Sequence, residues 1–139
     1  MTLCDAGPLV ALIDRDDANH PRCVATLEQL PAGGLLTTWP AFTEAMYLLG
    51  RAGGSEAQDT LWGYLADGLL RLRPPEPREF ERMRALMRQY RDTPMDLADA
   101  SLVVTAEQLG LRHIFSLDHH FRVYRIHGSE AFEIVPGPT

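Results

Sequence analysis

Short apolar runs alternate along the chain with longer stretches of helical period, and the boundaries between them fall on residues that stop or start elements. Thr2–Cys4 reads as a short buried strand that stops at Asp5. Gly7-Pro8 marks a turn, with Pro8 suited to the first position of a helix over Leu9–Asp14. The polar run Asp14-Arg15-Asp16-Asp17 precedes a second helix over Pro21–Leu30, closed by Pro31 and Gly33-Gly34. Leu35–Thr38 is a strand, and Pro40 opens a helix to Leu49 that ends in Gly50, Gly53 and Gly54. Ser55 then begins a further helix to about Asp67. Leu69–Arg73 is a strand stopped by Pro74-Pro75-Glu76-Pro77. In Arg78–Tyr90 the residues Phe80, Met83, Met87 and Tyr90 share one helical face. Asp96 caps a helix to Leu109 that ends at Gly110, and the strands Arg112–Leu117 and Phe132–Val135 follow. Strands alternating with helices predict a three-layer α/β domain with a mainly parallel sheet flanked by helices.

The 139 residues suit a single domain spanning 1–139. An apolar share of 45% against 23% charged excludes a disordered or fibrous chain. The longest apolar stretches, such as Leu9–Ile13 and Ala45–Leu49, are too short to span a bilayer. No basic n-region precedes them, so no signal peptide is expected and the expected location is the cytoplasm. Cys4 and Cys23 form no CxxC pair and suggest neither a zinc site nor a disulfide framework.

Five carboxylates stand out along the chain. Asp5 and Asp118 directly follow the apolar runs Leu3-Cys4 and Ile114-Phe115-Ser116-Leu117, which puts both at the carboxyl edge of a parallel sheet, where ligands bind. Either acid alone could equally be a loop or capping residue. Glu44 lies in a helix apolar on nearly every side, a pattern of burial, with no Arg three or four residues away to pair with it. Asp96 and Asp99 open a helix and resemble a capping pair. Gathered carboxylates repel unless a cation intervenes, and oxygen ligands of this kind suit Mg²⁺ or Mn²⁺ rather than zinc.

These segments resemble the PIN-domain family, in particular its VapC-type toxin ribonucleases. Asp5-Ala6-Gly7-Pro8-Leu9-Val10-Ala11-Leu12 is similar to the family's opening motif, and Thr43-Glu44-Ala45-Met46-Tyr47-Leu48-Leu49 to its second. Asp96-Leu97-Ala98-Asp99-Ala100-Ser101-Leu102-Val103 resembles the third, and Ser116-Leu117-Asp118-His119-His120-Phe121 the fourth. The resemblance implies an endoribonuclease dependent on Mg²⁺ or Mn²⁺, with Asp5, Glu44, Asp99 and Asp118 as catalytic, metal-holding acids. Asp96 and Ser116 would support the site. It also implies 5′-phosphate and 3′-hydroxyl products, an RNA substrate, restraint by a cognate antitoxin protein, and a homodimer.

Charge and composition bear on this expectation in three ways. The net charge is −6, there is no lysine, and seven of the 13 arginines fall between Arg71 and Arg91. That segment reads by default as a solvated helix face with snorkelling stems, an RNA contact through Arg82 and Arg88 being the alternative. The five histidines receive no catalytic role. Ser116 and Thr38 are placed to hydrogen-bond water near the acids, or to serve only as caps. The missing lysine argues against a receiver-type phospho-acceptor or a haloacid-dehalogenase-like phosphatase. A noncatalytic interaction module that keeps a structural metal site is the remaining alternative.

Overall fold

The computed structural model describes residues 1–138. In chain order it comprises β1 (Thr2–Cys4), α1 (Ala6–Ile13), α2 (His20–Gln29), β2 (Leu35–Thr38), α3 (Trp39–Ala66), β3 (Leu70–Arg73), α4 (Phe80–Gln89), α5 (Leu97–Leu109), β4 (His113–Phe115), β5 (Arg125–Ile126), β6 (Glu130–Ala131) and β7 (Glu133–Val135). Strands β3-β2-β1-β4-β7 form one sheet in that order, with every neighbouring pair parallel. The predicted α/β sheet with flanking helices is therefore the observed architecture.

Strand alternation builds the three layers. Leu3, Leu36 and Ile114 face a core shared with Met83 and Leu86 of α4 and Leu102 of α5. Cys4, Leu35, Leu70 and Phe115 face the other way, against Leu9 of α1 and Phe42, Leu49 and Leu61 of α3. Both cysteines are buried and free, as packing residues.

Local chemistry sets the element ends. Asp5 caps α1 through its side chain, so that helix starts at Ala6 and Pro8 sits inside its first turn rather than at its first position. The two helices expected on either side of the glycines run together as α3, interrupted only at Gly54, whose φ of 67° is left-handed. Among the buried residues of α4 are Met83 and Leu86, whereas Phe80 points outward. A small hairpin, β5–β6, was not expected from the sequence; its turn includes His127 at φ 51° and Gly128 at φ 76°.

Two arginines of the arginine-rich segment bind buried acids. Arg73 makes two hydrogen bonds to Glu79, at 3.0 and 2.6 Å, and Arg82 two to Glu107, both at 2.8 Å. Glu107 also accepts from the His127 backbone N–H. Removing Arg82 leaves a buried carboxylate with one donor. Arg82→Ala should therefore destabilise the fold by about 1.5–3 kcal/mol. Chemical denaturation checks this; an unchanged midpoint would show that Glu107 is satisfied without it.

Candidate active site

Strand order reverses between β1 and β4, which is the crevice where open parallel sheets bind ligands. Asp5 leaves the end of β1 and Asp118 lies three residues beyond β4, so both reach that crevice. A helix leading into a parallel strand begins at the same carboxyl edge, which brings the first turn of α5, with Asp99, to the same place. One carboxylate oxygen each from Asp5, Asp99 and Asp118 lies within 4.8 Å of the others.

Each acid is held by short-range bonds. Asp5 accepts from the Ala6 N–H at 2.8 Å on one oxygen and from the Ser116 hydroxyl at 3.0 Å on the other. Ser116 Oγ in turn accepts from the Asp118 N–H at 3.0 Å, so one hydroxyl spans both strand-end acids. Asp118 caps the 3-10 turn His119–Arg122 by accepting from the His120 N–H, with His120 Nδ1 at 3.3 Å. Asp96 and Asp99 form a reciprocal capping box at the start of α5, in line with their spacing. Asp99 Oδ2 additionally accepts from the Tyr124 hydroxyl at 3.0 Å.

The electrostatics are those of an anionic pocket. Burial pushes Asp5 up to about 6; its two hydrogen bonds oppose the rise, and Asp118 and Asp96 add to it. Burial pushes Asp99 up to about 7, reinforced by Asp96 and Asp5 and opposed by the Tyr124 hydroxyl. Among the described residues neither Asp5 nor Asp99 has a cationic side-chain partner. An all-oxygen set of converging, mutually repelling carboxylates fits a hard divalent cation.

Glu44 is the exception among the four acids. It stands on the first half of α3, at the same edge, but is exposed and outside the group of three converging oxygens. The expectation that its apolar helix buries it is overturned: Tyr47 and Leu48 beside it are exposed too, because α3 meets the core along one side only. Its pKa is nevertheless raised, by partial desolvation first and then by Asp5, Asp96 and Asp118, so it borders the same pocket. Asp96 is exposed and shares an open cleft with Glu44 and Trp39. Thr38 caps α3 and bonds Ser101 at 2.6 Å.

Tyr124 is the residue that the sequence reading missed. It is fully buried, edge-on to Tyr90 and Phe121, and its hydroxyl ends on a cluster acid. Tyr124→Phe removes a donor that favours the charged form of Asp99. Mn²⁺ should then bind about 10–100-fold more weakly, with a larger deficit in acid, where protons compete for the same oxygen. Mn²⁺ titrations of both proteins at two pH values measure this, and superimposable curves would reduce Tyr124 to packing.

Fold and site together define an α/β protein with a carboxylate-lined pocket at the switch point of a parallel sheet. The PIN domain model matches residues 2–126, and the chain belongs to the PIN domain family. It is 27% identical over 135 residues to Ribonuclease VapC26 of Mycobacterium tuberculosis, covering 96% of this chain and 99% of that protein. Its fold is similar to the crystal structure of Mycobacterium tuberculosis VapC20, described as a sarcin-ricin loop cleaving toxin. That match has a TM-score of 0.79 at 17% identity, covering 86% of this chain and 91% of the other.

Proposed function

We propose that the protein is an endoribonuclease dependent on Mg²⁺ or Mn²⁺ that hydrolyses RNA phosphodiester bonds, acting as the toxin of a toxin–antitoxin pair. The observation that carries this reading is the convergence of one carboxylate oxygen each from Asp5, Asp99 and Asp118. Family membership and the likeness to a curated VapC ribonuclease support it.

Asp5, Asp99 and Asp118 would hold the cation, with Glu44 as a fourth acid at the rim. A divalent ion held there supplies Lewis-acid polarisation of the phosphoryl group and a lowered pKa for attacking water. The chain's own residues do the positioning. Ser116 fixes Asp5 and the Asp118 backbone together, so the two strand-end carboxylates keep their separation. Tyr124 and the capping box hold Asp99 in one orientation. In the reaction, a water oxygen bonds to phosphorus and the bond to the 3′ oxygen breaks. The water loses a proton at the open mouth and the 3′ oxygen gains one, leaving 5′-phosphate and 3′-hydroxyl ends.

The same reading gives a cytoplasmic protein with a cognate antitoxin and a homodimeric state. Among the described residues no helix is long and apolar enough to cross a membrane. Exposed Trp39, Phe80 and Leu97 beside the site, and Tyr47 and Trp62 on α3, provide apolar surface for protein partners. The test is incubation of the purified protein with single-stranded RNA, with Mn²⁺ and with EDTA. Cleavage only with metal is the expected result. Intact RNA under both conditions would favour the noncatalytic module.

A further inference from the structure

We infer that Arg22 and Arg122, with His119, form a subsite for an RNA backbone phosphate next to the one being cleaved. This rests on the proposed ribonuclease reading and names how the chain grips its polyanionic substrate. The problem it answers is electrostatic. The net charge is −6 and the pocket itself is built of acids, so a polyanion needs cationic groups within reach of the cluster.

Most of the arginine-rich segment is already paired with carboxylates. Arg73 and Arg82 are committed to the buried Glu79 and Glu107, while Arg78 and Arg84 pair with Glu76 and Glu81. The depression beside Asp118 is different. It has a volume of about 80 Å³, and its walls include Arg22, Asp118, His119 and Arg122. Asp118 thus belongs both to the converging acids and to this depression, which makes the two spaces adjacent.

Residues remote in sequence meet there. Arg22 comes from α2, and His119 and Arg122 from the 3-10 turn that Asp118 caps. Arg22 uses one guanidinium N–H on the Gly137 carbonyl, at 2.6 Å, which leaves most of its five donors for a ligand. Among the described residues neither Arg22 nor Arg122 has a carboxylate partner. Two guanidinium groups around one small depression suit a phosphate, which they can bind bidentately. A strand with its scissile phosphate at the acids would lay a neighbouring phosphate between Arg22 and Arg122.

The test measures binding of a short mixed-sequence single-stranded oligoribonucleotide by fluorescence anisotropy across a salt series. The background is Asp99→Asn with Mn²⁺, so that the probe survives. Arg122→Ala and Arg22→Ala should each lower affinity and flatten the salt slope by about 0.7 log units per lost contact. The double variant should lose both. Arg22→Lys, which keeps the charge, should recover part of the affinity, separating phosphate binding from anchorage of Gly137. Arg84→Ala with Arg91→Ala, an equal loss of charge elsewhere, should leave the slope nearly unchanged. In the catalytically intact background the Arg122→Ala effect should fall on KM more than on kcat. RNA binding by the parent with unaltered slopes in Arg22→Ala and Arg122→Ala would overturn the subsite alone. Absence of salt-dependent RNA binding by the parent, together with no cleavage by wild type, would overturn the ribonuclease reading and the subsite together.

Discussion

Asp5→Asn, Asp99→Asn and Asp118→Asn should each cut metal-dependent RNA cleavage by about a hundredfold or more while leaving the protein folded. Each replacement keeps side-chain size and takes away one of three converging negative charges. Losing several kcal/mol of charge stabilisation at the phosphoryl group corresponds to a rate loss of about 10²–10³-fold. The three residues differ in what else they do. Asp5→Asn must still accept from the Ala6 N–H and the Ser116 hydroxyl, so its amide oxygen can satisfy only part of that pair. Asp99→Asn can keep its amide oxygen where Oδ2 accepts from both Tyr124 and the Asp96 N–H, and then places an amide N–H₂ at the other position. Glu44→Gln should do less, about tenfold, and recover in excess Mn²⁺, because Glu44 stands at the rim and not among the converging oxygens. The measurement is initial cleavage rate against Mn²⁺ concentration, with circular dichroism to verify folding. Near wild-type rates in any two of the three aspartate variants at saturating Mn²⁺ would remove the cluster from the mechanism.

The second large effect is on stability. The folded-state values of Asp5 and Asp99, about 6 and about 7, lie above the ordinary 3.8. A raised acid binds its proton more tightly in the folded than in the unfolded chain. Between about pH 4 and pH 7 the folded state therefore carries more protons, and unfolding free energy falls as pH rises. The metal-free protein should accordingly lose, from these two groups, on the order of a few kcal/mol across that window, and no more above it. Carboxylates that stabilise by pairing give the opposite slope in acid, as Glu79 and Glu107 do with their lowered values.

Cation binding should reverse the penalty. A ligand specific to the folded state adds roughly 2.7 kcal/mol at a hundredfold excess over Kd, which for a domain of this size raises Tm by several degrees. The gain should be larger near neutrality, where the acids are ionised, than in acid. Asp99→Asn relieves repulsion from Asp96 and Asp5. Its metal-free form should thus match or exceed wild type at neutral pH, with a shallower pH slope and a smaller response to Mn²⁺. Thermal melts with EDTA and with millimolar Mn²⁺, at three pH values and constant ionic strength, measure all of this. A wild-type Tm indifferent to Mn²⁺ throughout would show that the acids are not a preassembled cation site.

What the sequence determined by itself was the edge at which chemistry sits. Strand ends are marked by a change from apolar to acidic residues at Cys4-Asp5, and helix starts by a capping acid, as at Asp96. Parallel topology sends strand ends to one edge, so local signals placed Asp5 and Asp118 near one another, whereas Asp99 and Glu44 joined them only through the family resemblance. Short apolar runs and helical period likewise gave most of the elements, since strands buried on both sheet faces read as continuous apolar runs.

Tertiary structure alone decided which of these groups converge and which side chains support them. Glu44 has the apolar neighbours of a buried residue, yet its exposure depends on how little of α3 the sheet covers. Tyr124 reaches Asp99 across 25 positions, through a turn with no regular period to announce it. The same holds for the arginines. A cluster in sequence looks like a binding face, but Arg82 is drawn to Glu107, also 25 positions away, because a buried carboxylate gains more from a guanidinium than solvent does. Arg22 and Arg122, a hundred positions apart, come to one depression only because α2 and the turn after β4 fold against the same end of the sheet. Pairing and convergence are long-range properties, fixed by packing rather than by neighbours in the chain.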